Sequence, residues 1–301
     1  MGISQYLKEI GRGKQGARPL DREQAADLFG QVLDGALTDL EIGAFCIAMR
    51  VKGETPQEMC GFLDATHARL RRVTAASGRP VVVLPSYNGA RRLPVLTPLL
   101  AGLLTRRGLP VVIHGTATES SRVLVRDVLQ AMDVQVAGDV PVLRDGQLAY
   151  LPTELLCPGL KRLLDARKVI GLRNSAHSLV KLMNPCAGPA VIVSSYTHPE
   201  YAISMAAVFE LQQATALLLR GTEGEVVADA RRLPQMEGFV RGQRVMLQEG
   251  RRGTLTDLPD LPKELDPETT ARYIGDVLAG RKPVPESMAL QVEHILHLAD
   301  A

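Results

Sequence analysis

Residues 81–115 read VVVLPSYNGARRLPVLTPLLAGLLTRRGLPVVIHG, and this stretch decides the fold. Val81-Val82-Val83-Leu84 is a continuous apolar run, the pattern of a strand buried on both faces. Pro85 to Ala90 is a turn. Leu96 to Arg107 has helical spacing and ends near Gly108. Val111-Val112-Ile113 repeats the buried-strand pattern before His114-Gly115. Strand, helix and strand in that order make a βαβ unit and imply a parallel sheet.

Outward from this unit the alternation continues. Arg122 to Met132 is an amphipathic helix, and Val191-Ile192-Val193 and Ala216 to Leu219 read as later strands of the same sheet. Between them, Glu154 to Met183 returns to helical patterning, and two last helices begin near Pro267 and Pro285. The first 75 residues differ, because they carry helix signals and no strand candidate. Asp21 and Gln24 bracket one helix start, Thr38 and Glu41 a second, and Thr55 and Glu58 a third, with Pro56 at the first helical position. Leu28, Val32 and Leu33, then Ile42, Phe45 and Met49, recur at helical spacing. The expected fold is α/β, a small N-terminal helical domain over 1–77 and a larger α/β domain over 78–301 with a mostly parallel sheet.

Of 301 residues, 46% are apolar and 23% charged, as in ordinary globular proteins. Aromatics are 4% and Trp is absent, which argues against a nucleic-acid reader built on a row of stacking rings. The net charge of +2 is unevenly spread. Residues 1–77 balance ten basic against ten acidic side chains, 78–220 carry fifteen against nine, and 221–301 carry ten against fourteen. Between Gly89 and Arg126 there are six arginines and one acid, Glu119. A polyanion or a phosphorylated ligand is therefore drawn to the middle of the chain, although a solvated basic face reads the same way. Cys46, Cys60, Cys157 and Cys186 form no C-x-x-C pair and no zinc spacing, so no metal site is expected. Cys46 and Cys60 fall in apolar helical patterns and read as core thiols. The absence of a signal-peptide core or an apolar run long enough to span a bilayer points to a cytoplasmic protein with no membrane partner.

Ligands of open α/β sheets bind beyond the carboxyl ends of the strands, at the N-termini of the following helices. Ser86, Asn88 and Gly89 occupy such a loop, and so do His114 and Gly115. Arg91 and Arg92 extend the first. Tyr87 could stack on a base or pack on Pro85.

From Leu20 the chain reads LDREQAADLFGQVLDGALTDLEIGAFCIAMRVKGETPQEMCGFLDA, most specific from Ile42 to Thr55. This resembles the N-terminal helical domain of anthranilate phosphoribosyltransferase, shared with the pyrimidine and thymidine phosphorylases. The resemblance runs to about residue 230. It implies a helical domain and an α/β domain with a cleft between them. It also implies that helices from about 154–183 fold back onto the helical domain, and that homodimers pair through that domain.

The enzymes hold phosphoribosyl pyrophosphate in a glycine-rich G-T-G-G-D-G loop, with Mg²⁺ on acidic side chains. Here that loop is Pro85 to Ala90, with one glycine and no aspartate, followed by Arg91 and Arg92. The K-H-G-N motif is Ile113 to Thr116. Ser120 and Ser121 keep a serine pair, Arg122 replaces a lysine, and the enzymes' small-residue run becomes Val123-Leu124-Val125-Arg126-Asp127. Lys161, Arg167 and Arg173 match, Arg167 at the position that contacts the anthranilate carboxylate. The acidic pair at the Mg²⁺ site becomes Gly224-Glu225. These exchanges predict loss of the parent activity.

A second resemblance covers nearly the whole chain: Lys8 to Arg22, PSYNGAR (85–91), LTPLL (96–100), RNSAH (173–177), HPEY (198–201), GTEGEV (221–226) and DPETTA (266–271). These motifs are similar to those of the YbiB-type bacterial paralogues, a group associated with sequence-independent DNA and RNA binding. The expected partners are thus DNA and RNA, contacted by Lys14, Arg18, Arg91, Arg92, Arg106, Arg107, Arg122, Arg126, Lys161, Arg162, Arg167 and Lys168. No catalytic residue and no cofactor is assigned on this reading. The alternative is a glycosyl- or phosphoribosyltransferase of altered substrate, using Mg²⁺ and a residual cleft of Ser86, Asn88, Gly89, His114, Gly115, Ser120, Ser121, Arg173 and Glu225. A third is a catalytically silent partner-binding scaffold.

Overall fold

The computed structural model describes residues 2–13, 15–118 and 121–301. In chain order the elements begin with α1 (Ser4–Ile10), α2 (Arg22–Asp34), α3 (Asp39–Lys52), α4 (Pro56–His67), β1 (Thr74–Ala75), β2 (Val81–Ser86) and α5 (Thr97–Arg106). Then come β3 (Val111–Gly115), α6 (Val125–Ala131), β4 (Val142–Leu143), β5 (Leu148–Pro152), α7 (Thr153–Leu156), α8 (Pro158–Ile170) and α9 (Ala176–Leu179). The last are β6 (Ala190–Tyr196), α10 (Pro199–Leu211), β7 (Ala216–Arg220), β8 (Met236–Val240), β9 (Gln243–Gln248), α11 (Pro267–Leu278) and α12 (Glu286–Ala299).

The chain forms two compact units, Met1–Arg71 with Thr153–Pro185, and Arg72–Pro152 with Cys186–Ala301. The first is helical. All three capping boxes form as their spacing predicts, so each helix start satisfies two orphan donors by reciprocal bonds. Phe29, Phe45 and Phe62 are fully buried and meet in its core, Phe29 stacked on Phe62 at 4.6 Å and Phe45 edge-on to both. The four cysteines are buried and reduced, and burial pushes the Cys46 thiol up to about 11. Glu58 is a buried hub: its carboxylate accepts the Leu20 and Thr55 amides and pairs with Lys52 at 2.6 Å.

The second unit is built on a seven-stranded sheet, in the order β5-β3-β2-β6-β7-β8-β9 among the described residues. The first five strands are parallel, while β8 and β9 return antiparallel. The continuous apolar runs become β2, β3, β6 and β7, buried as read. One face carries the main core, where Leu84, Ile113, Val193 and Leu219 meet Leu99 of α5, Val128 of α6, Ile274 of α11 and Ile295 of α12. On the other face α10 packs Phe209 against Phe239 at 5.3 Å.

Three of the sheet strands lack the apolar signature. β5 ends in Pro, β8 contains Glu237 and Gly238, and β9 is an exposed edge of sequence QRVMLQ. A strand covered on one side or flanked by one neighbour has no need of a continuous apolar run. No helix among the described residues is long and apolar enough to cross a membrane.

Candidate functional site

Every parallel strand delivers its carboxyl end to the same edge of the sheet, and the chain's polar loops collect there. The turn after β2 runs from Tyr87 to Arg92. Its amides point toward the segment Gly221–Glu225, which follows β7 two strands away.

Glu225 fills the turn. It is 1% exposed, and its Oε1 accepts the amides of Asn88 at 3.0 Å and Gly89 at 2.8 Å. Its Oε2 accepts the Thr97 hydroxyl at 3.2 Å. Thr97 opens α5, whose N-cap Leu96 supplies no side-chain cap, so the carboxylate also serves a helix N-terminus that has no cap of its own. Glu223 extends the pattern, its two oxygens accepting the amides of Arg91 at 2.8 Å and Arg92 at 2.9 Å. Four amides of this one turn thus donate to the protein's own carboxylates. A nest of backbone N–H groups beside a helix start is an anion site by construction, and here the anions are internal.

Gly224 makes this possible. Its φ is +89°, and a Cβ there would lie 1.7 Å from Asn88 Nδ2. Asn88 is locked in turn, its Nδ2 donating to the Glu223 carbonyl at 3.3 Å. Ser195 Oγ donates to the Gly224 carbonyl at 2.9 Å. On the other flank Ala90 and Val123 each donate an amide to the other's carbonyl, both at 2.9 Å, and Thr118 Oγ1 donates to the Tyr87 carbonyl.

Tyr87 is turned inward and is not open to stack on a base. It is 5% exposed, shares a 2.8 Å hydrogen bond with His114 Nδ1 and meets that ring edge-on. Burial holds the His114 imidazole neutral, pushed down to about 3. Its Nε2 has no partner among the described residues. Gly115 admits β2 closely, since a Cβ would meet the Ser86 carbonyl oxygen at 2.0 Å.

The structure sorts the sequence candidates. Ser86, Asn88, Gly89, His114, Gly115, Ser121 and Glu225 share the carboxyl edge of the sheet, whereas Arg173 belongs to the helical unit, its carbonyl accepting from Arg50. Glu225 spends Oε1 on two amides and Oε2 on the Thr97 hydroxyl, so its carboxylate is part of the scaffold. Gly224 beside it brings no second carboxylate, and no cluster of three or more metal-ligating side chains exists among the described residues. Lys14 and Ser120 lie outside the described residues.

The six arginines of 89–126 do not share one surface. Arg91, Arg92, Arg122 and Arg126 sit at the carboxyl edge, Arg122 Nη1 donating to the Gly89 carbonyl at 3.4 Å. Arg106 and Arg107 end α5, whose ten residues carry them about 15 Å toward the opposite edge. There Arg106 donates to the Leu278 carbonyl and Arg107 pairs with Glu293 at 2.7 Å.

In the helical unit, Lys161 and Lys168 both pair with Asp165, and Arg162 donates to the Val32 carbonyl at 2.9 Å, tying α8 to the end of α2. Burial pushes the Asp165 carboxyl up, but the two lysines outweigh it and hold the group below its usual range. Arg18 is exposed, while Arg167 occupies the last turn of α8. Sequence reasoning missed Glu223, although an acid one residue before a glycine and two before a second acid was there to be seen.

A model of the glycosyl transferase family helical bundle domain matches residues 4–69. The protein YbiB of Escherichia coli K12 is 42% identical over 97% of this chain and 92% of its own. Anthranilate phosphoribosyltransferase of Methanopyrus kandleri is 26% identical, covering 92% of this chain and 84% of the enzyme. Among solved structures, anthranilate phosphoribosyltransferase from Thermus thermophilus superposes with a TM-score of 0.73, covering 98% of this chain and 89% of the other at 21% identity.

Proposed function

Since the chain belongs to the family of Escherichia coli YbiB, on an anthranilate phosphoribosyltransferase-like fold, we propose that it binds DNA and RNA without sequence preference and no longer transfers phosphoribosyl groups. The observation that carries this reading is the self-filled turn. Glu225 and Glu223 take four amides of the turn that stands where the enzymes' glycine-rich phosphate loop stands in the resemblance. The guanidinium groups of Arg91 and Arg92, exposed at the same turn, have no side-chain partner among the described residues. An edge that refuses a small phosphate in its backbone and offers free cations above it suits a polyanion held by its charge. Affinity then comes chiefly from counterion release and falls steeply with salt.

The test is a titration of the purified protein with a fluorescent single-stranded oligonucleotide and with a duplex of unrelated sequence, at several salt concentrations. Binding to both, with a steep negative salt slope that flattens in an Arg91→Ala/Arg92→Ala variant, is expected. Absence of binding at low salt refutes the reading.

The relation to the Methanopyrus enzyme over most of both chains favours a second reading, a phosphoribosyl- or glycosyltransferase of altered substrate. It requires pyrophosphate release from phosphoribosyl pyrophosphate and Mg²⁺ in the presence of an aromatic amine or base.

The proposal includes a homodimer through the helical unit. Leu40, Ala44, Ile47 and Val51 form one stripe along α3, with Leu40 84% and Val51 56% exposed. Ile47→Glu/Val51→Glu should shift the protein from dimer to monomer in analytical ultracentrifugation. A wild-type monomer at micromolar concentration would exclude the pairing.

A further inference from the structure

The charge map of the sequence gives residues 221–301 a net negative charge, yet the fold returns three arginines of that segment to the basic edge, beside Arg220. In β8, Met236 pairs with Leu219 of β7, so the chain before Met236 lies beyond the carboxyl end of β7. In β9, Gln248 pairs with Met236, which puts the residues after it at the same end. There the two segments run side by side: the Arg251 amide donates to the Leu233 carbonyl at 2.9 Å and the Leu255 amide to the Arg231 carbonyl at 2.8 Å. Arg251 and Arg252 make no side-chain hydrogen bond or ion pair among the described residues and are exposed; Arg232 is exposed too, its charge also acting on Asp229. Arg220, the exposed last residue of β7, stands between them and the turn after β2.

Three acids of this edge are engaged within the protein. Glu223 and Glu225 accept backbone amides, and Asp229 grips Arg231 through two 3.0 Å bonds. Glu249 and Asp257 remain exposed beside the cluster, and Glu200, in the first turn of α10 after β6, is exposed at the same edge.

We propose that Arg220, Arg232, Arg251 and Arg252 form a phosphate-contacting track that continues the Arg91/Arg92 site along the sheet edge toward β9, and that one nucleic-acid backbone lies along it. This rests on the nucleic-acid reading above and extends it to arginines that the sequence candidates did not include. From β2 to β9 the edge crosses four strand spacings, about 19 Å. At 3.4 Å per phosphate along one strand of a duplex, that spans about six base pairs.

The experiment compares full-length wild type with Arg232→Ala/Arg251→Ala/Arg252→Ala, Arg91→Ala/Arg92→Ala and Arg241→Ala. Arg241 lies in the β8–β9 turn at the opposite end and serves as control. A fluorescent duplex of unrelated sequence is titrated from low to moderate salt. The triple variant should bind at least tenfold more weakly, with a log–log salt slope shallower by about 0.9 for each phosphate no longer neutralised. A triple Arg→Lys variant should restore the slope, which loss of folding could not do, and Arg241→Ala should bind as wild type. If wild type binds and the Arg91/Arg92 variant weakens while the triple variant is unchanged, the track is wrong and the site near β2 stands alone. If wild type itself fails to bind, the nucleic-acid reading falls first and the track with it.

Discussion

Removing the Glu225 carboxylate should expose how much of the second unit depends on it. In Glu225→Ala, the amides of Asn88 and Gly89 lose their acceptor inside a site that is 1% exposed. A buried unpaired donor costs about 1–3 kcal/mol, so the two together cost about 2–6 kcal/mol. Thr97 can turn its hydroxyl elsewhere and adds little. In Glu225→Gln, the side-chain oxygen still reaches both amides and only the charge is lost. Bonds to charged acceptors exceed neutral ones by about 1 kcal/mol, which makes the expected loss about 2 kcal/mol. Urea denaturation followed by circular dichroism should rank wild type above the Gln variant and that above the Ala variant. Inorganic phosphate should then raise the midpoint of the Ala variant and leave wild type unmoved, because ligand binding to the folded state alone stabilises it. An Ala variant within about 0.5 kcal/mol of wild type, outside the range expected for buried unpaired donors, would refute the reasoning, for it would mean that water serves the turn as well as the carboxylate does.

Three further outcomes follow from the same geometry. Gly224→Ala should destabilise by about 1–3 kcal/mol from backbone strain alone, plus the displaced Asn88 amide, read from the same urea transitions. The His114 imidazole is pushed down to about 3 by burial, against an ordinary 6.5, so the unfolded state takes up a proton first as pH falls. Stability is then full above pH 6.5 and is lost as pH drops through that window, by about 2 kcal/mol at pH 5; urea midpoints across this range should fall less in His114→Gln. In the helical unit, Glu58→Ala should cost about 3–5 kcal/mol by leaving Lys52 uncompensated at 8% exposure, and a midpoint near wild type would remove Glu58 from its central place there.

The parallel strands and the capped helices were legible because each is a local statement. Val81 to Leu84 must be buried on both faces whatever lies beside it, and Thr55-Pro56 with Glu58 carries its own helix start. The edge strand β9 was not legible, since exposure lets it hold Gln243, Arg244 and Gln248. The site was legible as a place but not as an arrangement. Spacing alone put Ser86 to Gly89 at a strand end, whereas the bond from Glu225 joins residues far apart in sequence and turns a supposed ligand group into part of the scaffold. Charge summed by segment failed for a related reason. Arg106 lies near Arg91 in sequence and at the other edge in space, while Arg251 is distant in sequence and returns to the same edge.

The division of the helical unit into two stretches of chain has a consequence for biosynthesis. Residues up to Arg71 leave the ribosome first, and α8 follows only after the whole of Arg72–Pro152. Until then the end of α2 waits without the Arg162 guanidinium that binds the Val32 carbonyl, and Leu33 waits without the close backbone of Gly159. The nascent helices α2 and α4 therefore hold an unfinished apolar surface while β2, β3 and β5 are being made. Vectorial synthesis thus favours completing the helical unit late, and a chain halted before Thr153 presents that surface to chaperones or to other copies of itself.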